Sequence, residues 1–251
     1  MIERIQLPTA LADFGDAAIA AAIIVAYLVM AEPYVGFVLH RRFEAAARRF
    51  SDARRWLYRR LLLLEWVLAA FCVAVVVIAT DVDLATIGLR LPEGPVAISV
   101  TVLAVGAAAV MLALTVRFVV RTDGVTQLPA GQSVLAMLPR SPVERRLFSI
   151  VSVSAGICEE LIYRGFLIAF LAAVLPAAPL WICVLIAAVV FGLAHAYQGA
   201  VGVSTTLLVG FILGVLYLLT GSLLAPILVH ALVDLRAIPL GRLLAPAAKT
   251  R

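Results

Sequence analysis

Long apolar runs dominate this chain and leave few folds open to it. Seven stretches, Ala17–Val38, Leu61–Thr80, Pro95–Val119, Phe148–Leu175, Pro179–Ala196, Val201–Thr220 and Leu223–Leu240, read as membrane spans. Each is close to the ~20 apolar residues that cross a hydrocarbon core. Hydrophobic residues make up 64% of the 251 positions and charged residues 14%. Too little polar surface remains to cover a water-soluble fold of that size. A soluble enzyme, a disordered regulator and a DNA-binding module are therefore excluded. Lipid-exposed strands would leave backbone groups unpaired, and the runs are too long and uniform for barrel strands. The expected fold is an all-α polytopic transmembrane bundle of seven or eight spans, with no internal repeat.

Charge sets an expected orientation. The segment between spans one and two holds Arg41, Arg42, Arg48, Arg49, Arg54, Arg55, Arg59 and Arg60, and the segment between spans three and four holds Arg121, Arg140, Arg145 and Arg146. The intervening loop DVDLATIGLRLPEG is mildly acidic. The positive-inside rule makes the two arginine-rich loops cytoplasmic. The N-terminus is then outside and, after seven spans, the C-terminal tail with Arg236, Arg242, Lys249 and Arg251 is inside. The arginines suit anionic lipid headgroups, and no nucleic-acid footprint is read from them. MIERIQLPTALADFGD lacks the basic, apolar and small-residue parts of a secretory signal, so the chain is expected to insert by its own helices. Cys72, Cys158 and Cys183 form no CxxC pair and read as packed free thiols.

Ionisable residues inside spans are candidates for function by default. Span four carries Glu159, Glu160 and Arg164 in GICEELIYRGF, span five ends on Phe191-Gly-Leu-Ala-His195, and span seven carries His230 and Asp234 in LVHALVDL. Glu160 and Arg164 lie four apart and share a helix face, which predicts a neutralising ion pair. Glu159 points about 100° away from Glu160, so its partner must come from another helix, either His195 or His230. Asp234, four residues after His230, is placed to orient or polarise the imidazole. One carboxylate and two imidazoles on three helices suffice to activate a water molecule. Ser141-Pro142-Val143-Glu144 reads as a capping box that starts span four.

Other features have plainer readings. Gly210 and Gly214 form a GxxxG packing surface. Gly165 allows a close helix contact or a local break, and Glu32-Pro33 marks a kink without chemistry. Glu65 snorkels or pairs with Arg59 or Arg60.

EELIYR at 159–164, FGLAH at 191–195 and HALVD at 230–234 resemble, in order, the EExxxR, FxxxH and HxxxN/D motifs of the CPBP family of intramembrane proteases. That family takes in CAAX prenyl endopeptidases of the Rce1 type, bacterial Abi proteins and bacteriocin-processing enzymes. The resemblance covers Ser141 to Asp234. It implies an intramembrane endopeptidase in which Glu159 and His195 activate water, while His230 and Asp234 stabilise the oxyanion. Glu160 and Arg164 would be the supporting ion pair, and Phe191 would pack beside His195. Residues 141–246 would form the catalytic core, and residues 1–140 would supply accessory helices.

Asp234 departs from the Asn usual in Rce1-like members, because an ionised carboxylate cannot donate a hydrogen bond. Asp234 is protonated, or it holds His230 as imidazolium, or Glu159, His195, His230 and Asp234 form a zinc set with an open position for water. A metal-free mechanism without cofactor is favoured, since no HExxH is present. The expected substrate is membrane-anchored, either a prenylated CAAX protein or a leader peptide. The expected setting is a prokaryotic inner membrane. A proton- or ion-coupled transporter and a non-catalytic scaffold on the protease fold are the alternatives.

Overall fold

The computed structural model describes residues 6–121 and 132–244, and every regular element among them is helical. Helices α1 (Ala18–Ala26) and α2 (Glu32–Ala47) form the first span, joined by a π turn at Tyr27–Ala31. Pro33 has no N–H to return to the preceding turn, so the ladder there must adjust. The Glu32 N–H bonds the Tyr27 carbonyl, an i→i−5 connection that widens the helix locally. Helices α3 (Ala53–Ile78) and α4 (Gly94–Arg121) follow, then the short α5 (Gln132–Met137).

Helix α6 (Pro142–Glu159) opens with the expected capping box. Ser141 Oγ accepts from Glu144 N at 3.2 Å, and Glu144 Oε2 accepts from Ser141 N at 2.9 Å. The helix passes into a π segment, Glu160–Leu167, and ends as α7 (Ile168–Val174). Helices α8 (Leu180–Ala194), α9 (Gly199–Thr220), α10 (Leu224–Leu235) and α11 (Ala237–Leu243) complete the bundle.

All seven expected spans are helical, but among the described residues only five helical stretches combine the length, hydropathy and low charge of a membrane-crossing helix. Helix α8 has 15 residues. The α6–π–α7 rod carries the Glu159, Glu160 and Arg164 charges within its length. This rod is the centre of the fold, and every residue from Glu160 to Phe170 is buried.

Small residues let its neighbours close on it and on each other. A Cβ on Gly214 would lie 2.5 Å from Val184 Cγ1, so α9 packs on α8 through the GxxxG surface. A Cβ on Gly165 would come 2.8 Å from the Ile87 carbonyl oxygen. Ile87 belongs to the α3–α4 loop, which seals one end of the bundle. Leu223 N donates to Gly88 O at 2.8 Å, and Arg90 Nε donates to Gly221 O at 2.9 Å.

The opposite end carries the arginines. Arg54 Nε donates to Ala136 O at 2.9 Å, and Tyr58 donates to Met137 O, tying α3 to α5. Arg236 is not a free tail charge, contrary to the sequence expectation. It sits at the α10–α11 junction and its Nε donates to Thr115 Oγ1 on α4 at 3.1 Å. The helix simply continues past it to Leu243. Lys249 and Arg251 lie outside the described residues. All three cysteines are buried and free.

Candidate active site

The charged residues of the rod meet α8 and α10 in one cluster. Glu160 is fully buried, and its Oε1 accepts from Arg164 Nη1 at 2.8 Å, the ion pair that the spacing predicts. The same oxygen accepts from His230 Nδ1–H at 2.6 Å. Arg164 also donates through Nη2 to the Gly210 carbonyl at 3.2 Å and lies 4.4 Å over the Phe191 ring. Its charge is thereby matched on two sides, as a buried guanidinium requires.

Fixing Nδ1 leaves Nε2 of His230 as the free nitrogen. Glu159 Oε2 is 3.7 Å from it and Asp234 Oδ2 is 3.8 Å away. These separations exceed a hydrogen bond, but one oxygen atom could touch all three groups. The side chains of Glu159 and Asp234 retain 19% and 37% exposure, so this gap is open on their side. His230 itself is buried.

One sequence expectation is narrowed here and another corrected. Of the two histidines open to Glu159, His230 is the one beside it, and Glu159 and Glu160 address opposite nitrogens of that imidazole. The residue that orients His230 is Glu160, at 2.6 Å, and not Asp234, at 3.8 Å.

His195 caps the end of α8, and its Nδ1–H donates to the Phe191 carbonyl at 2.9 Å. Its Nε2 is left as an acceptor. Between Glu159 and His195 there is no direct hydrogen bond among the described residues. The two imidazoles are linked through Phe191, whose ring lies 4.8 Å from the His195 ring, 6.1 Å from His230 and 4.9 Å from Tyr163. Phe191 is thus the packing centre between both imidazoles and Arg164. Tyr197 lies 5.9 Å from His195 and stacks at 5.0 Å on His40 of α2.

Two residues read as bland in the sequence belong to this neighbourhood. Glu32 Oε2 accepts from Tyr163 O–H at 2.5 Å, and the Tyr163 ring rests on Phe191. Glu65 pairs with neither Arg59 nor Arg60. Its Oε2 is buried without a partner, and it lies within electrostatic range of Glu159, Asp234 and His230. Arg60 instead lies 4.3 Å over the Trp56 ring. The signal that could have found both carboxylates is their position inside apolar spans, which marks function by default.

From Arg41 to Glu32 is nine helical residues and from Arg60 to Glu65 is five. At 1.5 Å rise per residue the cluster lies roughly 8–14 Å below the arginine-rich end. No three His, Cys, Asp or Glu side chains among the described residues are arranged to hold a metal ion, and the set Glu159, His195, His230 and Asp234 is no exception.

Residues 144–236 match the family model described as Type II CAAX prenyl endopeptidase Rce1-like. That match spans every residue of the cluster on the rod, α8 and α10, and it bears out the resemblance of these motifs to the CPBP family. No curated protein matches the chain, and no solved structure does.

Proposed function

We propose that this integral membrane chain, Rce1-like over residues 144–236, is an endopeptidase that cuts a membrane-anchored peptide within the bilayer. The observation that carries the reading is the gap at His230 Nε2, bordered by Glu159 at 3.7 Å and Asp234 at 3.8 Å while Glu160 anchors Nδ1. A water in that gap gives its proton to Glu159, and its oxygen attacks the substrate carbonyl carbon. His230, held as imidazolium by the carboxylates around it, donates from Nε2 to the oxyanion. Asp234 acts through that imidazolium and need not donate itself. The proton on Glu159 then passes to the leaving amine. His195, with its Nε2 unprotonated, shares the task of taking and returning protons.

A positioned base contributes about 10²–10⁴-fold in rate, and an oxyanion donor about 10²–10³-fold. The scheme uses the chain's own carboxylates and imidazoles and contains no metal step. Residues 141–246 supply the reacting groups in this reading. The arginine-rich end faces the cytoplasm, so the site lies in the cytoplasmic half of the bilayer.

A prenylated CAAX peptide is the first probe and a leader peptide the second. Glu159→Ala, His195→Ala and His230→Ala should each abolish cleavage while the protein still inserts. Unchanged proteolysis in Glu159→Ala ends the proposal, and ion flux with no hydrolysis from the same purified sample would favour a transporter. A chelator should leave cleavage unchanged, whereas loss restored by zinc would replace the water-and-glutamate scheme with a metal one.

A further inference from the structure

Helix α3 carries a carboxylate for which the fold supplies no partner. Trp66 Nε1–H donates to Ser154 Oγ at 3.0 Å and locks the register of α3 against α6. With that register, Glu65 stands beside the Glu159 end of the rod. Its Oε2 is buried and accepts no hydrogen bond, and Glu65 enters no ion pair among the described residues. The cations nearby are already engaged. Arg164 serves Glu160, the Gly210 carbonyl and the Phe191 face, His230 Nδ1 serves Glu160, and Arg60 lies over Trp56.

Such an oxygen is costly to bury unless something else donates to it. Three like charges, Glu159, Asp234 and Glu32, act on Glu65 against one opposite charge, His230. Glu32, Glu65, Glu159, Glu160 and Asp234 share this region with Arg164 and the two imidazoles, an excess of acid. Access is from the partly exposed side of Glu159 and Asp234. The missing partner should therefore be positive, rich in donors and brought from outside. A lysine or arginine side chain meets these terms, with an apolar stem suited to the walls of the span.

We propose that Glu65 is a specificity-determining residue that accepts a hydrogen bond from a lysine or arginine side chain of the peptide held beside Glu159. The inference rests on the protease reading and names a substrate class for it. It also gives the first half of the chain a part in recognition, through α3.

The test uses the full chain in lipid nanodiscs and three fluorescent farnesylated peptides that differ only in carrying Lys, Ala or Glu beside the target bond. Binding is read by anisotropy and cleavage separately. The wild type should bind the Lys peptide roughly tenfold more tightly than the Glu peptide, the scale of a close charge pair. Glu65→Gln should reduce that ratio to about twofold or less, and Glu65→Lys should invert it. A wild type with no Lys preference overturns the inference without needing any variant. A Lys preference that survives in Glu65→Gln overturns it as well. Binding is read whether or not the peptide is cut. Lys-selective binding without cleavage would count against the protease reading alone, and cleavage without Lys preference would count against Glu65 alone.

Discussion

Helix α4 and the α6–π–α7 rod are both long and apolar enough to be read as spans, yet they occupy opposite environments. Only 17% of the α4 membrane window is buried, and Leu103, Leu114 and Val120 are at least 60% exposed. The rod is buried without interruption from Glu160 to Phe170. Hydropathy does not separate them, because lipid tails and a protein interior are equally apolar. Charge does. A carboxylate or guanidinium is tolerated where another side chain can match it, so ionised residues mark the helix that faces the bundle.

Substitutions at matched positions on the two helices should break or sharpen this contrast. The largest difference is expected in turnover. Glu159→Gln on the rod should lower cleavage of a prenylated peptide roughly 10³-fold, on the scale of lost acid–base catalysis. Leu103→Ala on α4 should leave the rate within about twofold, since a lipid-facing side chain touches nothing in the site. Equal losses would mean that α4 is no bystander.

Stability comes next. Arg164→Met leaves the buried Glu160 carboxylate without its guanidinium and should cost about 3–5 kcal/mol, read from thermal unfolding in detergent. Glu160→Gln combined with Arg164→Met should recover much of that loss, because neither charge is then stranded.

A smaller effect separates packed from open glycines. At Gly214 an added Cβ meets Val184 at 2.5 Å, whereas at Gly106 on α4 it meets nothing within 4 Å. Gly214→Ala should therefore destabilise by about 1–3 kcal/mol, while Gly106→Ala should be neutral or stabilise by up to about 1 kcal/mol.

The smallest lies outside the spans. Asp83 in the α3–α4 loop accepts from Thr86 N and Thr86 Oγ1, each at 2.7 Å, and these bonds hold its carboxyl below the ordinary range. A depressed carboxyl stabilises the fold above its unfolded value, near 3.9, and that stability is lost as pH falls through the folded value. Asp83→Asn should abolish this acid-side dependence with little change at neutral pH, which a pH series of unfolding midpoints would detect.

Much of the site was legible from spacing. The Glu160–Arg164 pair follows from an i,i+4 offset, and the Ser141–Glu144 box from its residue types, because both interactions are closed within one helix. The partner of Glu159 was narrowed to two histidines, and the fold chose His230. Glu32 and Glu65 were passed over for a physical reason. Each is a single acid in an apolar run, one beside a proline and one beside arginines, and both settings have local explanations. Their actual neighbours, Tyr163 and Glu159, are about a hundred residues away in the chain.

By itself the sequence determined that the chain is helical and membrane-embedded, where its long apolar helices lie, and which residues are too polar to face lipid. Backbone hydrogen bonding in hydrocarbon imposes those results on any chain of this composition. Tertiary structure alone decided which nitrogen of His230 each carboxylate addresses, that Phe191 stands between both imidazoles, and that α3 brings Glu65 to the site. Those outcomes depend on helix rotation and tilt, which are set by packing at Gly165, Gly210 and Gly214 and by the π widening at Glu160, and no periodicity encodes them.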